Sequence, residues 1–353
     1  MKCLTNMDRI QITNTLMMKL FKLYENKGRA SYYKEFFERD DEVMAKQTIE
    51  DDTIALGEIF ELNITPTRLR LLADFKKDYV PKNNDEKFLL NIKEALMKIQ
   101  ESAKEFVLNA NEAIDLSTIL YRGVGDVKLR KQATRSRSIV KTFEDHSSRE
   151  QLEKLIEQYH SVRKSNKYEY LVIVANFYVD FIKIEPFNKY NEKIGLILIY
   201  TMLAKEFQVF RYESFFKVFK EYKERFGTAL SQANYDWENG LSQTDSLIRI
   251  FVNVIEELND LVRIKEHAYE FELTMNKSNS VEYMIYHGPS IFKKSDIREQ
   301  LPLISESTIN KTLQELRKKG IIRPLGKGRS SQWQRLEEKD RGFKPEQLSL
   351  FSD

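Results

Sequence analysis

The stretch KIEPFNKYNEKIG, residues 183–195, has the residue types of a loop that grips phosphate. Pro186 and Phe187 follow one apolar run, Asn191 lies in a polar turn, and Gly195 opens a second apolar run. The N-terminus of a helix offers unpaired N–H groups and partial positive charge, so it binds anions such as phosphate. The pattern therefore predicts a helix, a loop and a second helix arranged as an anion site.

The same stretch resembles the signature HPF-x-(D/E)-GNGR-x-GR of the Fic (Fido) family, whose enzymes usually transfer AMP from ATP to a hydroxyl of a target protein. Four positions match this signature, namely Pro186, Phe187, Asn191 and Gly195. Six positions depart from it: Glu185 replaces the histidine base, Lys189 the acid that helps hold magnesium, Tyr190 and Glu192 the two glycines, and Lys193 and Leu196 the two arginines.

Further segments extend the resemblance over about residues 40–260. TIEDDTIALGEI resembles the family's inhibitory-helix segment, with Glu50 as the inhibitory glutamate and Asp51 in place of a glycine. NIKEAL resembles a family helix, YRGVGDVKL the start of its flap, and FRYESFFKVFKEYKERFGTAL with Trp237 the helices after the motif. The resemblance implies an all-α, Fic-like helical bundle with a small β-hairpin flap.

The substitutions oppose the family's chemistry. Glu192 puts a carboxylate where phosphates would lie, and two like charges about 4 Å apart in a partly screened site repel by roughly 4 kcal/mol. Lys189 puts a cation where a metal ligand is needed. We therefore expect no catalytic residues, with Glu185, Asn191 and Lys193 as degenerate motif positions, and neither a cofactor nor a metal.

Two alternatives stay open. The chain could be a Fic-type adenylyl- or phosphoryl-group transferase with altered chemistry, in which Glu185 is the general base and Lys193 holds a phosphate, with ATP and magnesium as cofactors. It could also be an adaptor whose flap holds an acidic or strand-forming partner. Leu196 replaces the arginine with which Glu50 would pair in the family. Glu50 could equally be an ordinary solvated acid on a helix.

Residues 121–145 break the helical pattern and predict a small hairpin or flap. Against the single acid Asp126, the segment from 122 to 141 carries the basic residues Arg122, Lys128, Arg130, Lys131, Arg135, Arg137 and Lys141. This charge suits nucleic acid or an acidic partner. A solvated hairpin whose lysines protect an exposed edge is the alternative.

Residues 291–336 resemble winged helix-turn-helix DNA-binding domains. Ser305 is predicted to cap a helix with apolar residues on one face, Gly320 to end it, and two strand-like runs to follow. Residues 291–335 carry eleven Lys/Arg and four Asp/Glu, a net +7 in a chain whose total is +3. A winged helix used for dimerisation or protein contact is the alternative.

The predicted DNA contacts are divided between the second helix and the wing. Short polar side chains suit base edges in the major groove, whereas basic side chains at the wing tip suit phosphates. The candidate DNA contacts on the second helix are Ser307, Asn310, Lys311 and Gln314, and the candidate phosphate contacts at the wing tip are Lys327 and Arg329.

The C-terminal sequence QLSLF looks like the pentapeptide by which bacterial proteins dock on the replicative sliding clamp. An extended tail could place Leu350 and Phe351 in an apolar pocket while Gln347 hydrogen-bonds at its edge, with Leu348 between them. Alternatively, the tail could fold back and bury these side chains against the protein itself.

Composition bounds the remaining choices. The single cysteine, Cys3, excludes an internal disulfide and a cysteine-built zinc site, and the longest apolar runs are too short to cross a bilayer. We expect a soluble, cytoplasmic, bacterial protein that does not act at a membrane. The expected divisions are an N-terminal helical region (1–85), a Fic-like domain (86–275), a winged helix (281–336) and a flexible tail (337–353).

Together these features predict a catalytically degenerate Fic-type protein, a pseudoenzyme that acts as a DNA-binding regulator or scaffold. The expected partners are DNA and, through the tail, the sliding clamp, and a homodimer is left open.

Overall fold

A computed structural model describes residues 2–75, 79–130, 147–274, 277–326 and 332–336. The first α-helices are α1 (Asn14–Gly28), α2 (Ala30–Phe36), α3 (Asp41–Ile59), α4 (Pro66–Ala73), α5 (Asn84–Ser102), α6 (Ala110–Tyr121), α7 (Ser148–Lys164) and α8 (Tyr170–Ile184). The others are α9 (Asn191–Glu206), α10 (Phe215–Phe219), α11 (Lys223–Tyr235), α12 (Asp245–Thr274), α13 (Lys277–His287), α14 (Lys294–Gln300) and α15 (Glu306–Lys318).

Short 3₁₀ helices occur at Met7–Arg9, Gln208–Arg211 and Lys220–Tyr222, and the strands are β1 (Ile291–Lys293), β2 (Ile322–Pro324) and β3 (Gln332–Arg335). The chain is mostly helical, which confirms the predicted all-α class. It divides into two compact units, Met1–Val262 and Arg263–Asp353. Among the described residues, no helix combines the length and apolarity needed to cross a membrane.

The first unit is built around α8. Its sequence, YLVIVANFYVDFIKI, is apolar on all sides, and every residue of it except Lys183 is buried. A helix that is apolar all round must be covered by other elements, and here α7, α9 and α11 pack against it. At Gly195 of α9 an added Cβ would lie 3.0 Å from the Phe181 and Tyr178 rings, so this glycine lets α9 approach α8 closely.

Two polar side chains inside this core fix distant segments. The carboxylate of Asp180, in the middle of the buried α8, accepts hydrogen bonds from the backbone N–H groups of Lys2, Cys3 and Leu4, each at 3.0 Å. The indole Nε1 of Trp237 donates a fourth hydrogen bond, at 2.7 Å. Because a buried carboxylate is costly unless its oxygens are paired, Asp180 ties the N-terminal residues to the centre of the unit.

Asp52, on α3, is fully buried. It accepts hydrogen bonds from Ser214 Oγ at 2.6 Å and Phe216 N at 2.7 Å, at the start of α10, and from the hydroxyl of Tyr200 at 3.3 Å. Burial raises the pKa of Asp52 to about 7, although these three donors oppose the shift. Asp52 therefore joins α3 to α10 and α9 through a group that titrates near neutral pH.

The second unit has its own core and a small sheet. Antiparallel strands lie in the order β1-β3-β2, with Phe292 opposite Trp333 and Arg323 opposite Gln334. Helix α13 packs against α15, and the core side chains are Val281, Ile285, Phe292, Ile297, Ile304, Ile309, Leu313, Leu316, Ile321 and Ile322. Ser305 Oγ accepts from Thr308 N at 3.3 Å and Gly320 has φ 69°, so both predicted ends of α15 are confirmed.

The raised pKa of Asp52 predicts a pH-dependent stability of the first unit. An exposed Asp has a pKa of about 3.9, so between about pH 4 and pH 7 the native protein holds a proton that the unfolded chain has released. The contribution of Asp52 to the free energy of unfolding should therefore fall as pH rises through this window. Asp52→Asn lacks the titrating group, so its stability relative to wild type should rise by up to about 1.4 kcal/mol per pH unit.

This is measured by urea unfolding at several pH values, followed by the fluorescence of Trp237 in a Trp333→Phe background, because these are the two tryptophans and lie in separate units. Asp51→Asn, one residue away, is the control and should keep the wild-type trend. Parallel pH curves for Asp52→Asn and wild type would contradict the assignment.

Candidate functional site

The loop between α8 and α9 is bounded by two non-glycine residues with left-handed backbone. Glu185 ends α8 at φ 43° and Tyr190 precedes α9 at φ 62°. This conformation suits glycine and strains other L-residues. Tyr190 stands at the first glycine position of the signature, so the backbone still has the glycine-type turn although the glycine is missing.

Asn191 closes the loop with a pair of hydrogen bonds to Phe187. Its Oδ1 accepts from Phe187 N, and its Nδ2 donates to Phe187 O, both at 2.9 Å. Phe187 itself is buried at 1% exposure and packs against Phe181 of α8. The Asn191 amide thus pairs with the backbone N–H and C=O of Phe187, and the Phe187 ring anchors the loop in the core.

Residues 126–130, at the entry to the predicted flap, pair with this loop. Arg130 N donates to Pro186 O at 2.8 Å and Asn188 N donates to Lys128 O at 2.9 Å, with Leu129 opposite Phe187 in an antiparallel bridge. The side chain of Asn188 adds a hydrogen bond from Lys128 N at 3.1 Å. Loop and flap entry are thus held together by main-chain hydrogen bonds.

Glu185, at the position of the family's base, is exposed and forms an ion pair. Its Oε2 accepts from Arg130 Nη1 at 3.0 Å, while Arg130 Nη2 donates to Ile184 O at 2.9 Å. The guanidinium therefore bridges the carboxylate and the end of α8. A carboxylate held in this way is already engaged by a cation at the point where a general base would have to take a proton.

An aromatic stack fills the space beside the loop. The ring of Tyr190 lies parallel to that of Tyr121, with centroids 4.6 Å apart and an interplanar angle of 3°. Tyr121 stacks on Phe88 at 4.9 Å, and Phe88 contacts Phe60 at 6.0 Å. Such stacked pairs contribute about 0.5–1.5 kcal/mol beyond the area that they bury. We call the four rings Tyr190, Tyr121, Phe88 and Phe60 the aromatic stack.

The two lysines of the motif point at this stack. Lys193 Nζ lies 5.0 Å from the Phe60 centroid, 5.6 Å from that of Phe88 and 3.5 Å from Phe60 O. Burial lowers the pKa of Lys193, against the opposing charges of Asp85 and Glu61. Lys189 Nζ lies 5.2 Å from the Tyr190 centroid. The ammonium groups of both motif lysines therefore form cation–π contacts.

The start of α9 carries an acid instead of an open anion site. Glu192 is exposed in the first turn, where the helix dipole favours its charge. Burial raises the pKa of the Tyr178 hydroxyl, and the Glu192 carboxylate raises it further. In the part of the chain that the structure describes, no group of three or more His, Cys, Asp or Glu side chains could hold a metal ion.

Glu50 lies on α3 and binds the backbone of a neighbouring segment. Its Oε1 accepts from Phe75 N at 3.0 Å, just after α4. Helix α3 is fixed further by ion pairs of Asp51 with Lys217 at 3.2 Å and of Glu58 with Lys220 at 2.8 Å. Leu196, at the position of the family's second arginine, is buried. The segment that resembles an inhibitory helix is thus integrated into the bundle.

Four of the six predicted DNA-contacting residues lie on the outer face of α15. Ser307, Lys311 and Gln314 are exposed and Asn310 is half-buried. The opposite face carries Ile309, Leu313 and Leu316, all buried in the core of the second unit. The structure therefore brings the four candidate DNA contacts of the helix together on one face, whereas Lys327 and Arg329 lie outside the described residues.

Two other predicted regions are described only in part or not at all. The described cations of the flap entry are paired: Arg122 with Glu94, Lys128 with Asp126 and Arg130 with Glu185. Residues 131–146 lie outside the described part of the chain. The tail residues Gln347, Leu348, Leu350 and Phe351 lie outside it as well, so clamp docking stays a prediction.

Sequence reasoning missed three features of the site. It counted Arg130 as one flap cation and did not pair it with Glu185, and it did not place Tyr190 on Tyr121. It also gave no role to Asp180 or Asp52. Of these features, only the ring contact of Tyr190 had a signal in the sequence. A tyrosine at a position where the family has glycine must pack its ring against a neighbouring side chain.

The comparisons support a fold assignment. No protein-family model and no curated protein sequence matches the chain. The crystal structure of a Fic family protein from Desulfovibrio desulfuricans matches with a TM-score of 0.50 and 14% identity, covering 93% of this chain and 98% of that one. A Fic domain containing signaling protein from Bacteroides thetaiotaomicron has a TM-score of 0.47 and 15% identity, over 71% of this chain and 97% of that one. The first match shows that the chain has the fold of a Fic family protein, as predicted.

The left-handed backbone at Tyr190 predicts an unusual order of stability for two variants. Tyr190→Ala and Tyr190→Gly both remove the ring from the aromatic stack, but only glycine adopts φ 62° without strain. Tyr190→Gly should therefore be more stable than Tyr190→Ala by about 1 kcal/mol. Urea unfolding with Trp237 fluorescence measures the difference.

Glu157, exposed within α7, provides the matched control. There Glu157→Gly should be less stable than Glu157→Ala by about 0.5–1 kcal/mol. If glycine is also the less stable choice at position 190, the strain assigned to Tyr190 is absent.

Proposed function

We propose that this chain is a catalytically degenerate Fic-type protein that acts as a DNA-binding regulator, with the helical unit as a scaffold and the second unit as the DNA-binding part. The observation that carries the proposal is the two-sided character of α15. One face is sealed into a core by Ile309, Leu313 and Leu316, and the outer face presents Ser307, Lys311 and Gln314 to solvent.

The order of elements in the second unit supports a winged helix-turn-helix. Helix α14 is followed by α15, then by β2 and β3, which pair as an antiparallel hairpin while β1 pairs with the other edge of β3. In such domains the second helix enters the major groove and the hairpin approaches the phosphates. The net +7 of residues 291–335 suits a polyanion.

The contacts around the motif support the loss of AMP transfer. A nucleotide would need the start of α9 for its phosphates. Glu192 lies in that first turn, Lys193 is turned toward Phe60 and Phe88, and Tyr190 occupies the place of a glycine. A phosphate at this turn would meet the Glu192 carboxylate, which repels the anion.

Nucleotide binding tests the degenerate site. A ligand that binds only the native state raises its stability, by about 2.7 kcal/mol at one hundred times its Kd. We expect the Tm of the chain to be the same without nucleotide, with millimolar ATP and with millimolar ATP plus magnesium. A magnesium-dependent rise in Tm would instead favour the transferase with altered chemistry.

DNA binding tests the second unit. Duplexes selected from a random pool by the full chain should bind with an affinity that falls steeply between about 50 and 200 mM salt, about 40-fold if three phosphates are contacted. Asn310→Ala should relax the preference at one base position, by about 1–3 kcal/mol. Lys311→Ala should weaken binding to all duplexes and lower the salt slope by about one.

Fluorescence anisotropy with a selected and a mixed-sequence duplex measures both effects. Arg323→Ala, on β2, is the control for Asn310→Ala and should leave the preference for sequence intact. If affinity does not change with salt, or if no duplex is bound, the second unit is not a DNA-binding domain.

A further inference from the structure

The first residue of α15 occupies two cations of the neighbouring helix. The Oε1 of Glu306 lies 3.7 Å from Lys294 Nζ, and its Oε2 lies 3.7 Å from Arg298 Nη1. Both cations are on α14, so one carboxylate connects two basic side chains at the start of α15. We call Lys294 and Arg298 the α14 cations.

The three groups are accessible to a ligand. The side chains of Glu306 and Arg298 are 55% and 58% exposed, and that of Lys294 is 31% exposed. Exposed ion pairs at such distances stabilise a protein by little, because water screens them. The α14 cations can therefore exchange the carboxylate for another anion at small cost to the fold.

The position of Glu306 links this exchange to α15. Ser307 follows it directly, and Asn310 and Lys311 lie one turn further along the same helix. Asp296, an acid of α14 itself, accepts a hydrogen bond from Lys293 N at 2.8 Å and caps the helix. Glu306 is thus the acid that holds the α14 cations at the end of the helix proposed to face DNA.

We propose that Glu306 is an internal competitor of DNA phosphate for Lys294 and Arg298. This inference depends on the proposed DNA-binding function. In the free protein the carboxylate holds both cations, and a phosphate must displace it to contact them. The carboxylate thereby weakens binding to any duplex, because phosphate contacts carry no sequence information. Base contacts made by the residues that follow Glu306 on α15 then account for a larger share of the remaining binding free energy.

The test replaces the carboxylate by an amide of the same shape. Glu306→Gln should bind a fluorescein-labelled mixed-sequence duplex about fivefold more tightly, the factor that one like-charge contact at about 4 Å in water is worth. Its affinity should also fall more steeply with salt. The slope of log K against log salt concentration should become more negative by about 0.9 for each phosphate contact regained. Glu299→Gln on α14 and Glu315→Gln on α15 remove the same charge and should leave the slope unchanged.

A second comparison isolates the competition from simple repulsion. In a Lys294→Gln/Arg298→Gln background, Glu306→Gln releases no cation, so the salt slope should stay the same. Thermal unfolding confirms that each variant is folded. An equal gain from Glu299→Gln or Glu315→Gln, or a steeper slope that persists without the α14 cations, overturns the inference while leaving DNA binding intact. Absence of DNA binding in wild type and in every variant overturns the proposed function itself.

Discussion

The helical unit depends on one buried carboxylate that must be paired. Helix α8 is apolar on all sides and is covered all round, yet it carries Asp180 in its buried interior. A carboxylate at such a position is tolerated only if its oxygens accept hydrogen bonds. Three consecutive backbone N–H groups from residues 2–4 and the indole of Trp237 provide them. Chain segments that are far apart in sequence are thereby fixed against the helix that leads into the motif loop.

The loop that follows α8 has a glycine-type backbone without the glycines. Glu185 and Tyr190 both have positive φ, which costs an L-residue about 1–2 kcal/mol. Compensating contacts are at hand, because Arg130 pairs with Glu185 and Tyr121 stacks on Tyr190. The first of these contacts lies at the end of α8, and the second lies at the residue that precedes α9. For the proposed loss of AMP transfer, this means that the stability of the loop and the accessibility of a phosphate site are opposed.

The sequence predicted those parts of the fold that depend on local patterns. The apolar runs predicted α8 and α9, and Ser305 and Gly320 marked the ends of α15, because capping and periodicity act within a few residues. The predicted start of α9 at Gly195 was wrong, because the helix already begins at Asn191. The side-chain partners could not be predicted in the same way. Arg130 and Glu185 are 55 residues apart, and Asp52 and Ser214 are 162 apart. Such pairs form only because tertiary packing brings their helices together.

The net charge of the second unit follows from the sequence, but the partners of its charged side chains depend on the tertiary structure. Residues 291–335 carry a net +7, but several of the cations are already engaged. Lys294 and Arg298 face Glu306, Arg323 donates to Gln334 at 2.9 Å, and Arg335 donates to Ile285 O at 2.7 Å. The field that a polyanion meets is set by the cations that can change partners at small cost, which are the exposed ones. For the proposed DNA-binding role this favours a modest non-specific affinity, so that the side chains of α15 that reach base edges decide where the protein binds.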